Sequence, residues 1–270
     1  MGMKTITFEG LTLYYDASDG ETAELVQQAC TKSLSLIQNL WGLASPQDCR
    51  IYVLNSSWLG CLFHAAPWGW RFWMGITLPL WYFRAKRSWQ LAAGWALPFG
   101  KRRFVGIKPP RLIQLSDRSM GSRIFTQPDD LEAKVQHTAC HELTHACTAP
   151  LRLPAWLNEG LAMFTVDEFV GGSTIRLDTL DILRHSSAKP AATRYQRVNL
   201  KDHEAVVYLY VRGYWITRFL EETQPDLLKQ LLTQRFGHQE LETRIASACG
   251  MSREAFWQQI DLMIASHYSI

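Results

Sequence analysis

No aspartate or glutamate occurs between Asp48 and Asp117, about a quarter of the 270-residue chain. Ten bases fill the same stretch: Arg50, Arg71, Arg84, Lys86, Arg87, Lys101, Arg102, Arg103, Lys108 and Arg111. Setting them aside leaves 18 bases against 25 acids, so a small net charge of +3 conceals one cationic segment on an otherwise acidic chain. The six cysteines form no C-x-x-C pair and no close spacing, which argues against a disulfide scaffold and favours a reducing, cytoplasmic setting. The N-terminus, MGMKTITFEGLTLYY, lacks the charged start, apolar core and small-residue cleavage site of a secretory leader. Long apolar runs are missing too. The most hydrophobic region, from Trp58, is interrupted by Pro67, Arg71 and Pro79, and its longest uncharged part, Phe72 to Phe83, falls short of the roughly twenty residues of a membrane span.

What is present reads as an α+β chain. TITFEGLTLYY suggests two short strands around Glu9-Gly10. The next segment puts Val26, Ala29, Cys30, Ile37, Leu40 and Trp41 on one helical face. RIYVL from Arg50 is a further strand, and RRFVGI and RLIQL are read as two more, separated by Pro109-Pro110. From Pro128 the pattern turns helical. Asp129 or Asp130 is a candidate cap for a helix that stops before Pro150, and Pro154 suits the first position of the next, AWLNEGLAMFTV. Further helices are expected at HEAVVYLYVRGYWITRFLEE, at PDLLKQLLTQRF and from about Ser252. The expected organisation is one domain, 1–270. Its mixed strand and helix N-terminal lobe, 1–149, carries a Trp-rich basic insertion at about 58–90, and its C-terminal lobe, 150–270, is mainly helical.

The residues with the most chemistry lie in CHELTHAC, 140–147. Side chains four apart on a helix sit one above the other, roughly 6 Å apart, so His141 and His145 can aim ring nitrogens at one ion about 2.0 to 2.1 Å away. A catalytic zinc ion takes three protein ligands and keeps a fourth position for water. Glu159, fourteen residues beyond His145 on the helix after the proline loop, is the candidate third. H-E-x-x-H alone arises by chance roughly once in a hundred chains of this size, and the downstream glutamate lowers that rate. Glu142, about 100° around the helix from His141, is free to act as a base. Tyr210 and Tyr214, with His203 as a third candidate, could donate a hydrogen bond to a developing oxyanion. His137 lies about 12 Å along the axis from His145, too far to share the same ion, and Cys140 and Cys147 sit off the ligand face as packing residues.

HELTH followed by WLNEGLA resembles the gluzincin metallopeptidases, the group of thermolysin and the zinc aminopeptidases. YVRGYWITRFLEE, from Tyr210, is similar to the Y-x-K-G helix of the aminopeptidase branch. The resemblance covers roughly His137 to Leu220. It implies a zincin-like fold and one Zn2+ held by His141, His145 and Glu159, with Glu142 as general base and Tyr210 as oxyanion donor. The implied activity is peptide hydrolysis by a Glu-activated, zinc-bound water.

That branch also carries a G-x-M-E-N strand that anchors a substrate's free amine, and no such sequence precedes His137. The expectation is therefore an endopeptidase acting on a peptide or protein chain laid beside an edge strand, taken as FVGI, 104–107. The rival from another class is a non-catalytic zincin-like module whose metal staples two helices while the aromatic, basic segment binds a membrane or protein partner. Seven of the eleven tryptophans, from Trp58 to Trp95, mark that segment. Three readings stand open for residues 58–111: peripheral contact with an anionic membrane surface, packing against the protein itself or a second copy, and an acidic ligand. Single-stranded nucleic acid stands last among the partners.

Overall fold

The structure is a computed structural model that describes residues 3–55, 58–116, 121–126, 130–186 and 202–268. In chain order its elements are β1 (Lys4–Phe8), β2 (Leu11–Tyr15), α1 (Gly20–Trp41), β3 (Cys49–Val53), α2 (Trp58–Ala65), α3 (Trp68–Leu91), β4 (Gly94–Phe99) and β5 (Arg102–Ile107). There follow α4 (Pro110–Ser116), α5 (Gly121–Ile124), α6 (Leu131–Thr148), α7 (Ala155–Val170), α8 (Leu180–Ser186), α9 (His203–Thr223), α10 (Leu227–Leu231), α11 (His238–Ala248) and α12 (Arg253–His267). The protein is thus a mixed α+β chain with one five-stranded sheet among the described residues. It divides into two compact units, the first made of Met1–Gln38, Ala44–Ser122 and Gln127–Cys147, the second of Asn39–Leu43, Arg123–Thr126 and Thr148–Ile270.

The first unit holds the sheet, in the order β1-β2-β3-β5-β4. Glu9 and Gly10, both at positive φ, make the two-residue turn of the β1–β2 hairpin, a backbone twist that suits antiparallel strands. β2 runs parallel to β3, and β3 to β5, each pair needing a helical crossover. Side chains alternate across the pleat. Tyr14, Tyr52 and Phe104 face one side and pack with Trp58, Leu62 and Met74 of α2 and α3. Leu13, Ile51, Val105 and Ile107 face the other and are buried. On that side the neutral, buried thiols of Cys30 of α1, Cys49 of β3 and Cys147 of α6 lie near one another. Helices therefore cover both faces.

Four expectations need correction. FVGI is not an edge: β5 is hydrogen-bonded to β3 on one side and β4 on the other, so its backbone is spent. The edge on that side of the sheet is β4, GWALPF, which carries Pro98 where an edge tolerates a missing donor; β1 forms the opposite edge. RLIQL is no strand but most of α4, because Pro110 supplies the fixed φ of a first helical residue and Leu112 donates back to the Pro109 carbonyl at 2.9 Å. The helix of PDLLKQLLTQRF is confined to Leu227–Leu231. Pro154 caps α7 rather than opening it, with the helix beginning one residue later.

The Trp-rich insertion is helical, α2 followed by α3, and α3 continues through Pro79. A proline inside a helix crowds the carbonyl four residues back, which here belongs to Gly75, and removes one backbone donor. The Trp81 indole N–H donates to the Met74 carbonyl and to the Thr77 hydroxyl, both at 3.2 Å. No helix among the described residues is long and apolar enough to cross a membrane.

Lys108, at the end of β5, is buried against the Trp89 ring, 4.5 Å from its centroid, and donates to the Trp89 carbonyl. Burial disfavours its charge and lowers its pKa to about 8. Between pH 8 and the ordinary lysine value the unfolded chain binds more protons than the folded one, so this side chain makes stability rise with pH in that window. Urea unfolding of wild type and Lys108→Met from pH 7 to pH 10 is expected to show that difference between the two proteins, whatever the other titrating groups contribute.

The second unit is helical, and two glycines allow a close contact between α7 and α9. A Cβ at Gly160 of α7 would lie 2.2 Å from the Gly213 carbonyl oxygen, and one at Gly213 of α9 would lie 2.1 Å from that of Trp156. Only backbone-to-backbone approach fits there, which explains the glycine that ends both N-E-G and Y-V-R-G. Beside it Arg212 is buried in an ion pair with Asp261 of α12, Nε to Oδ1 2.7 Å.

Candidate metal centre

Helix α6 begins at Leu131, capped by Asp130, whose carboxylate accepts the amide of Glu132 at 2.9 Å. Asp129, the alternative cap, lies outside the described residues. The helix buries Val135, Ala139, Cys140 and Leu143 and leaves His141 and His145 half-buried on another face. Their rings stand at 90° with centroids 4.6 Å apart, and their Nε2 atoms are 3.0 Å apart. The helix ends where Thr148 donates to the Asn158 side chain at 2.6 Å, tying the last turn of α6 to the residue before Glu159.

One ligand atom from each of His141, His145 and Glu159 lies within 4.8 Å of the other two. Two nitrogens bound tetrahedrally at about 2.0 to 2.1 Å would be separated by about 3.3 Å, so the observed 3.0 Å is close to what a shared ion requires. Two imidazoles and one carboxylate are a donor set for zinc, and three protein ligands leave a position for water or substrate. The residues present fit such an ion. His137 is half-buried and is not one of the three.

Glu142 is buried on the same helix, where the sheet edge comes down on it. A Cβ at Gly94, the first residue of β4, would sit 2.6 Å from Glu142 Cγ, 3.0 Å from its Oε1 and 2.7 Å from Thr138 Cγ2. The edge strand therefore starts in contact with this carboxylate, and only glycine permits the approach. Sequence reasoning missed both β4 and Gly94. A usable signal existed in Gly100-Lys101, a two-residue hairpin loop with positive φ at the glycine, which joins β4 to β5. Gly94→Ala is expected to push Glu142 and Thr138 aside, at about 1–3 kcal/mol of stability. If Glu142 serves as a base, any hydrolysis should fall by more than that loss explains, with metal binding unchanged. Thr138→Ser, which removes Cγ2, should restore part of the stability when combined with it; melting curves, metal analysis and turnover on the same samples check this.

The oxyanion candidates separate. Tyr210 is half-buried on α9, one turn before Gly213, where α9 meets α7. Tyr214 is fully buried; its hydroxyl donates to Asp167 at 2.6 Å and accepts from Arg218 at 3.0 Å. Burial raises its pKa, and the Asp167 carboxylate raises it further. Asp167 also holds the amide and hydroxyl of Thr174, so Tyr214 belongs to the structure that secures the end of α7. His203 is the first residue of α9, two turns before Tyr210. Cys140 and Cys147 are buried thiols, as expected for packing residues, and burial pushes Cys140 up to about 12.

No protein-family model matches the chain, and no curated protein matches it.

Proposed function

We propose that the protein is a zinc-dependent metallopeptidase of gluzincin type, with a zincin-like fold, that cuts within peptide chains. The observation that carries this reading is the convergence of ligand atoms from His141, His145 and Glu159, with the buried Glu142 on the same helix as the two histidines. When bound there, zinc would supply a Lewis acid for the scissile carbonyl and lower the pKa of water towards about 7. Glu142 takes the proton of the attacking water and returns it to the leaving amine. Tyr210 donates a hydrogen bond to the oxyanion as the carbonyl carbon becomes tetrahedral. β4, the edge strand that touches Glu142 through Gly94, offers unpaired backbone groups along which an extended substrate can add as a further strand.

Cleavage mapping on a diverse peptide library tests the reading. Cuts at internal bonds are expected in the zinc-loaded protein and not after chelation. Release of single N-terminal residues alone would overturn the endopeptidase assignment. Zinc retained at one ion per chain with no peptide cut would overturn the peptidase assignment itself.

A further inference from the structure

Helix α3 is apolar on two opposite faces. Met74, Trp81 and Trp89 turn inward and pack with the cluster under Tyr52 and Phe104. On the other side Phe72, Ile76, Leu80 and Phe83 follow one another at helical spacing, and Trp68 and Trp73 flank them. A surface helix ordinarily turns a polar face to water. Here Trp68 is 82% exposed, Leu80 83% and Phe83 77%. With aromatic side chains of about 150–250 Å² each, the four aromatics alone leave roughly 500–600 Å² of apolar surface in water. Ile76 and Leu80 add to it, which puts the face above the few hundred Å² that a monomer usually exposes.

Charge identifies what such a face would meet. Arg71, the sole charge between Trp68 and Phe83, donates back to the Ala66 and His64 carbonyls at 2.7 Å each, so it is committed to the end of α2. Lys86, exposed, and Arg87 follow Phe83 by one turn. At the other end Trp70 packs on Phe99, 5.7 Å between ring centroids, and Phe99 leads into the exposed Lys101. The apolar stripe therefore has bases beyond both ends and no acid anywhere from 49 to 116. A second copy on this face would bring two such basic rims together and repel. Anionic headgroups complement them, aromatic rings favour the interfacial level, and a helix of this kind lies in the membrane plane rather than across it.

We propose that the outer face of α3 docks on a bilayer surface containing anionic lipid. The test is flotation of the purified chain with phosphatidylcholine vesicles, with and without phosphatidylglycerol, at low salt. The protein is expected to float with the anionic vesicles and to be released by salt, and brominated lipid should quench its tryptophan emission. Phe72→Ser, Ile76→Ser, Leu80→Ser and Phe83→Ser together should cut the bound fraction about tenfold with an unchanged circular dichroism spectrum. Lys86→Glu with Arg87→Glu, which leaves the apolar residues in place, should abolish the preference for anionic vesicles. No flotation at low salt would overturn the proposal. So would binding that survives both sets of substitutions, or a wild-type dimer, by light scattering, that the serine substitutions dissociate while vesicles bind neither protein.

Discussion

Glutamine in place of Glu142 is expected to lower peptide hydrolysis by about 10²–10⁴-fold while zinc remains at one ion per chain. The substitution keeps the size and the buried position of the side chain against Gly94, so packing changes little. What it removes is the ability to accept a proton from water and pass it on. The proposed ligand atoms belong to His141, His145 and Glu159, so metal content should not follow activity downward. Metal analysis, a melting curve and initial rates on one preparation separate the two. A Glu142→Gln protein that loses its zinc, or keeps wild-type turnover, would remove the residue from the proposed chemistry.

Asp261→Ala is expected to cost about 3–5 kcal/mol of stability, the largest loss from any single substitution considered, because it leaves a buried guanidinium without its counter-charge. Arg212 and Asp261 are both nearly inaccessible, with 6% of each side chain exposed. Arg212 also donates to the Trp257 carbonyl at 3.2 Å and lies over the Trp257 ring, while Tyr208 donates to the second oxygen of Asp261 at 2.5 Å. Those partners cannot neutralise a charge. Replacing both members by apolar residues, Arg212→Met with Asp261→Leu, should recover much of the loss, since a well-packed apolar pair avoids the desolvation of two ions. Urea unfolding of the single and double variants measures the coupling. A loss below about 1 kcal/mol for Asp261→Ala would show that water or rearrangement reaches Arg212.

The two helices that carry the candidate site were legible in the sequence; what escaped it had tertiary or local causes. The i, i+4 spacing of His141 and His145 survives any error in a helix boundary, and the cap at Asp130 with the prolines at 150 and 154 framed the two helices around it. The glycines of N-E-G and Y-V-R-G could be noticed as a motif. Their reason is tertiary, a backbone contact near 2 Å from where a Cβ would stand. The same holds for Gly94, whose role depends on a helix some forty residues away in sequence. β4 escaped because Gly94 and Pro98 spoil its strand pattern, and RLIQL misled because three apolar residues in five suit a strand as well as a short helix. In α3, prolines and an arginine suggested interruption. The helix nevertheless runs on through Pro79, with one face in the core and one in solvent.

The most direct measurement is a zinc titration of chelator-stripped protein with peptide cleavage as the readout. The proposed function predicts that cleavage rises linearly and saturates at one zinc per chain in the wild type, and that Glu159→Gln binds zinc more weakly and stays inactive at that point. Zinc bound at one per chain with no cleavage, or cleavage that is indifferent to zinc, would contradict it.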